Sequence, residues 1–194
     1  MEKDKIATKT RVVIIGGSAG SLEVLMYILP KLKPISNFAL VIVLHRKSSE
    51  DKTLEELIEI KSATHVKEVE DKTLMIPGFI YIAPSDYHLL FENNGELSLD
   101  TSEKVNYSRP SIDVSFESAA QVYGSLLTAI LLSGANSDGT NGLLEVKQMG
   151  GTVVIQHPDS AEMPFMPKHA IENITADRVL DINGLLEFLN AIDS

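Results

Sequence analysis

Ser18 stands in Gly16-Gly17-Ser18-Ala19-Gly20, a G-x-S-x-G sequence. Glycines at that spacing permit a tight passage from strand to helix, which holds a serine hydroxyl clear of the sheet. His45 closes the apolar run Phe38 to Leu44, and Asp138 lies in Ser133-Gly134-Ala135-Asn136-Ser137-Asp138-Gly139. These three residue types supply a nucleophile, a general base and a group to orient the base, the set that nucleophilic acyl transfer needs. A helix beginning near Ala19 adds backbone N–H groups and a positive dipole end, which can hold an oxyanion.

Each residue also has a plainer reading. A strand, a glycine loop and a helix, taken alone, favour phosphate binding or a simple turn, although the G-x-G-x-x-G order and a Walker lysine are missing. His45 fits equally a strand-end histidine facing solvent. Its best rival is His157, in Gln156-His157-Pro158-Asp159. Asp138 before Gly139 is also what a helix N-cap requires. The residues alone leave these alternatives open. No histidine has metal-ligand spacing, and His88 reads as structural or exposed.

The elements that must position these groups are legible in the hydrophobic pattern. Val12 to Ile15, Phe38 to Leu44, Leu126 to Leu132 and Val153 to Ile155 are short, continuous apolar runs rich in β-branched residues. Such runs predict strands buried on both faces of a parallel sheet. Helical patterns alternate with them over Ser21 to Leu32, Thr53 to Ile60, Ile112 to Tyr123, Thr140 to Met149 and Asn183 to Ala191. That alternation implies βαβ units in an α/β, doubly wound, mainly parallel sheet. Phe79 to Ile82, His88 to Glu92 and Glu96 to Leu99 are shorter, and Asn93-Asn94-Gly95 is a turn signal. They predict an antiparallel hairpin at one edge of the sheet. Ligands bind beyond the carboxyl ends of strands in such sheets, and Ser18, His45 and Asp138 all follow strands there.

The 194 residues suit one domain. There is no cysteine, which excludes disulfides and thiolate metal sites. The net charge of −10 argues against nucleic-acid binding, for which clustered Lys and Arg are needed. No apolar run reaches the roughly 20 residues of a membrane span, and Met1 to Thr10 lack a secretory h-region, so a cytoplasmic protein without membrane insertion is expected.

The chain resembles the catalytic domain of the CheB family, the bacterial chemotaxis protein-glutamate methylesterases. Ile14 to Ser21 is similar to the family's nucleophile loop, Leu44-His45-Arg46 to its histidine segment and Leu132 to Gly142 to its aspartate loop. Tyr81-Ile82-Ala83-Pro84, Arg109-Pro110-Ser111-Ile112-Asp113-Val114 and Met166-Pro167-Lys168 resemble further family stretches in the family order. The resemblance implies a serine hydrolase with catalytic Ser18, His45 and Asp138. It removes glutamate γ-methyl esters from chemoreceptor helices through an acyl-enzyme, and the same route serves receptor glutamine deamidation. Ala19, Gly20, Ala135, Phe165 and Met166 are then expected at the oxyanion site and cleft, with no metal and no cofactor. The implied partners are methylated chemoreceptor cytoplasmic helices or a similar methylated protein, with a separate response regulator or methyltransferase beyond them. A non-catalytic binding module of the same fold is the rival from another class, and a nucleotide-binding α/β protein is the third reading.

Three positions depart from the family pattern. Ser21 replaces a usual glycine, Ala135 stands where methionine is common, and Phe165 replaces a glycine before Met-Pro. Typical family members also carry an N-terminal receiver domain. Here residues 1–10 read as a disordered or extended segment and 11–194 as the catalytic domain. A stand-alone enzyme or a fragment is therefore expected, without phosphorylation control inside this chain.

Overall fold

The computed structural model describes residues 10–46 and 53–193. Seven strands form one sheet, and all its pairings are parallel. In chain order they are β1 (Arg11–Gly17), β2 (Phe38–Leu44), β3 (His65–Glu68), β5 (Phe79–Ile82), β8 (Leu127–Leu131), β9 (Thr152–Gln156) and β10 (Arg178–Leu180). In space they run β10-β9-β8-β1-β2-β5-β3. From β1 the chain builds one half of the sheet first, β2, then the edge strand β3 and then β5 between them, and afterwards adds β8, β9 and β10 outward on the other side, so β1 lies at the switch point between β2 and β8.

Alternation along the strands divides the core in two. Val12 and Ile14 face one side of the sheet, where α3 (Ile112–Tyr123), α4 (Thr140–Gln148) and α5 (Phe165–Asn173) bring Ile112, Phe116, Leu143 and Met166. Val13 and Ile15 face the other, with Leu25 of α1 (Ser21–Ile28), Ile58 of α2 (Thr53–Lys61) and Leu185 of α6 (Ile182–Ile192). Burial on both faces explains why the central strands are apolar at every position. All seven residues of β2 are buried. Among the described residues no helix is long and apolar enough to cross a membrane.

The expected hairpin is present as β6 (His88–Phe91) and β7 (Glu96–Asp100). With β4 (Thr73–Leu74) it makes a separate three-stranded antiparallel sheet. Phe79 to Ile82, grouped with that excursion on sequence grounds, instead runs parallel to β2 inside the main sheet. The physical reason is burial: Ile80, Tyr81 and Ile82 are all enclosed, as a two-faced parallel strand requires.

Candidate active site

Register carries Ser18 and His45 to the same level. Gly17 of β1 lies opposite Leu44 of β2, and the His45 amide donates to the Gly17 carbonyl at 3.0 Å. On the other flank the Ser18 amide donates to the Ser133 carbonyl beyond β8 at 2.9 Å. Serine, histidine and the aspartate loop thus emerge from three adjacent strands at the switch point, where the fold leaves a crevice.

The Ser18 loop is built from buried polar contacts. Ser21 is fully buried, its hydroxyl donates to Ser133 O at 2.7 Å and it accepts the Ser18 amide at 3.2 Å. The glycine-to-serine departure therefore adds a tie between β1 and the β8 loop. Gly20 caps α1 in the left-handed region at φ 82°, a conformation that side chains adopt rarely. A Cβ there would lie 2.6 Å from Ser133 Oγ.

His45 Nε2 lies 2.7 Å from Asp138 Oδ2, with the histidine side chain 10% exposed and the aspartate wholly buried. With Nε2 turned to the carboxylate, Nδ1 is the ring nitrogen left to serve as a base. The Ser18 hydroxyl makes no hydrogen bond with His45; register, not a side-chain contact, sets it beside the pair.

Asp138 does not cap the helix it precedes; Ser111 is the N-cap of α3, and the Asp138 carboxylate joins it there from outside the helix. Its Oδ2 accepts the Ile112 amide at 2.6 Å, and its Oδ1 accepts the Asp113 amide and the Ser111 hydroxyl, each at 3.0 Å. It thereby takes the first free N–H groups of α3, while Gly139 occupies the cap position of α4. Burial by itself pushes the Asp138 carboxyl up. The His45 hydrogen bond, the Asp113 and Ile112 amides and the Asn106 amide outweigh it and hold the carboxyl below its ordinary value. Holding the start of α3 and orienting a histidine are here one function of one group.

Asp113, Asn106 and His88 complete the array. Asp113 Oδ1 accepts the Gly139 and Gly142 amides at 2.9 and 2.7 Å. Asn106 donates to both Asp113 and Asp138 at 2.8 Å. His88 is buried and structural: its ring accepts the Ser111 amide at 3.1 Å and meets the Glu103 carbonyl at 2.9 Å. For Ser111 and Asp113 the available signal was Ser-Ile-Asp ahead of an apolar helix, an N-cap pattern. Asn106 carried no such signal.

Ala19 and Ala135 are both exposed, at the mouths of the two loops. Phe165 is 53% exposed and stacks on His169 with ring centroids 5.9 Å apart. Met166 corrects an expectation: its side chain is fully buried and does not line the cleft. It packs under Gly134, where a Cβ would meet its Cε at 2.5 Å, while its amide donates to Gly134 O at 2.9 Å. Met166 thus supports the loop carrying Ala135. His157, the rival base, follows β9, two strands from β1, and accepts the Asp159 amide at 3.2 Å. Beside His45 a cavity of about 420 Å³ opens, lined by Arg46, Asp86, Lys104, Tyr107 and Arg109 among others.

A doubly wound α/β domain with a serine, a histidine and a buried carboxylate converging at its switch point is equipped for acyl transfer. The chain belongs to the CheB methylesterase family, whose sequence model matches residues 13–189. A relative from Leptospira interrogans serovar copenhageni, named putative protein-glutamate methylesterase/protein-glutamine glutaminase, is 41% identical, covering 93% of this chain and 94% of its own. The protein-glutamate methylesterase/protein-glutamine glutaminase of Thermotoga maritima is 38% identical over 91% of this chain, which spans 52% of that longer protein. The crystal structure of the Thermotoga maritima CheB methylesterase catalytic domain superposes with a TM-score of 0.89 at 36% identity, covering 95% of this chain and 99% of that one.

Proposed function

We propose that this chain is a protein-glutamate methylesterase in which Ser18, His45 and Asp138 form the catalytic triad. The observation that carries the reading is the 2.7 Å contact of His45 with a buried, six-fold hydrogen-bonded Asp138, one strand away from Ser18. Ser18 Oγ attacks the γ-methyl ester carbonyl of a glutamate side chain, and His45 Nδ1 takes the hydroxyl proton. Asp138 keeps Nε2 protonated and stabilises the cationic ring. Backbone N–H groups at Ala19 and Ala135 receive the oxyanion. The Ser18 amide is turned toward Ser133 O and Ser21 Oγ and takes no part.

Collapse of the intermediate expels methanol, which takes the proton from His45. Water then attacks the acyl-serine with His45 as base, releasing the glutamate carboxylate and restoring Ser18. A glutamine side chain follows the same path with ammonia as the leaving group. The reading makes residues 11–194 the catalytic domain of a cytoplasmic signal-transduction enzyme. Its substrates are methylated helices of chemoreceptors, and a methyltransferase supplies the ester.

The test is methanol release from a methylated receptor fragment, paired with fluorophosphonate labelling. Labelling confined to Ser18 and loss of methanol release in Ser18→Ala are the expected results. A Ser18→Ala protein keeping more than about a tenth of wild-type turnover removes Ser18 as nucleophile.

A further inference from the structure

We propose that Asn106 is a positioning residue of the catalytic array: its carboxamide donates to Asp113 and to Asp138, and so fixes the carboxylate that orients His45. The inference rests on the reading of Ser18, His45 and Asp138 as the triad.

Asn106 lies in an exposed turn closed by Val105 and Ser108, whose backbones exchange hydrogen bonds at 3.1 and 3.0 Å. Both residues at its tip are left-handed, Asn106 at φ 52° and Tyr107 at φ 62°. Asparagine tolerates that region better than most residues, so the backbone alone accounts for its presence. It does not account for the side chain. The carboxamide turns inward and spends both N–H bonds on buried carboxylates, Asp113 Oδ2 and Asp138 Oδ1, each at 2.8 Å. A residue serving only the turn needs no such pair.

The electrostatics give the bridge its work. Asp113 and Asp138 are like charges in a low-dielectric site, and Asn106 is a neutral donor between them. Burial raises the Asp113 carboxyl, the Gly142 amide opposes this, and the Asp138 charge adds to the rise. Other titratable groups face the pair from several sides. His45 lies at the end of β2, and His88 of β6 reaches it through Ser111. Glu117 of α3 feels both aspartates, and also Glu145 of α4. Lys104 and Arg109 share the cavity with His45. Without the carboxamide, Asp138 loses a donor, and the shared Gly139 amide is left to bridge the two carboxylates. The carboxylate is then free to shift, and the His45 ring with it.

The experiment compares wild type, Asn106→Gly and Asn106→Asp in the whole chain. Asn106→Gly keeps a residue suited to positive φ and removes the carboxamide. Asn106→Asp keeps the shape and replaces a donor with a third negative charge. Steady-state kinetics on a small neutral ester should show Asn106→Gly with kcat down about tenfold or more and KM within about twofold. Asn106→Asp should move the acid limb of the rate profile to higher pH, because added negative charge favours protonated His45 and Asp138. The downfield proton NMR signal of His45 Nε2–H, measured without substrate, should shift or broaden in Asn106→Gly. Thermal unfolding identifies a variant that has not folded, and the other variant then decides. Asn106→Gly with wild-type kcat, an unmoved acid limb in Asn106→Asp, or an unchanged His45 resonance each overturns the proposal. The resonance reports even if wild type hydrolyses no ester, an outcome that sinks the methylesterase reading instead.

Discussion

Asp113 and Asp138 bind the first amides of each other's helices. Asp138, just ahead of α4, accepts the Ile112 and Asp113 amides that begin α3, while Asp113, in the first turn of α3, accepts the Gly139 and Gly142 amides that begin α4. Each carboxylate sits at a positive helix end, where negative charge is favoured. The exchange ties the start of α3 to the loop of Asp138, so helix packing and the geometry of the proposed triad depend on the same two groups.

Asp138→Asn should lower kcat by roughly 10³-fold or more, by analogy with other triads that lose the acid's charge. Both Asp138 oxygens face donors, so an –NH₂ group at either position meets another N–H. Stability should therefore fall as well, by about 1–3 kcal/mol. Methanol release and urea unfolding on the same preparation measure both. A variant with wild-type turnover would remove Asp138 from the mechanism.

The two aspartates should leave opposite marks on stability against pH. The folded value of Asp138 is lowered from 3.8, so its contribution is complete above the unfolded value and fades as pH falls through the folded one. That of Asp113 is raised from 3.8, so its contribution is complete below the unfolded value and is lost as pH rises through the folded one. Urea unfolding of wild type, Asp138→Asn and Asp113→Asn across acid pH tests this. The wild-type advantage over Asp138→Asn should shrink toward low pH. The corresponding difference for Asp113→Asn should change in the other direction as pH rises. Parallel curves for the two variants would contradict the assignment.

Gly20→Ala should destabilise the fold by about 1–3 kcal/mol, because φ 82° strains any side chain there. Its new Cβ also strikes Ser133 Oγ, which donates to the Ala19 carbonyl at 2.7 Å. Activity should fall with stability, since that contact shapes the proposed oxyanion loop. A thermal midpoint equal to wild type would show that the loop relaxes without cost.

His45→Ala should abolish ester hydrolysis, whereas His157→Ala should retain it within about twofold. The His157 ring is half exposed and caps the turn at Pro158–Ser160. The reverse outcome would exchange the two histidines' roles.

How far the sequence reading reached depends on the range of the interaction. Val12 to Ile15 and Phe38 to Leu44 declared two-faced strands because burial on both sides is written in consecutive residues. Ser18, His45 and Asp138 stood out as candidates because each follows such a run. Phe79 to Ile82 misled because a short apolar segment does not state whether its partner runs parallel or antiparallel. Asp138 looked like an ordinary cap of α4, but Gly139 holds that position and the Asp138 carboxylate serves α3 instead. That it serves α3 depends on how α3 packs beside α4, which no local pattern records. Asn106 was missed for the same reason: its two partners lie 7 and 32 residues away, on different elements. Met166 was expected in the cleft because of its neighbours in the motif, yet the helix turn at Phe165 points it into the core.

The placement of the site on three central strands has a consequence for how activity returns after denaturation. His45 and Asp138 are separated by 93 residues, and the Ser18 loop is held through Ser21 by Ser133, 112 residues further on. Pairing of β1 with β2 brings Ser18 level with His45, but Asp138 and Ser133 reach them only once β8 has docked against β1. Closing such long stretches is slow compared with local helix formation. Hydrolysis should therefore reappear only with the last cooperative phase of refolding, after helical content has recovered. The short edge strands β3 and β10, in contrast, can fray and re-form without silencing the enzyme. Turnover is in this sense a clock for completion of the sheet.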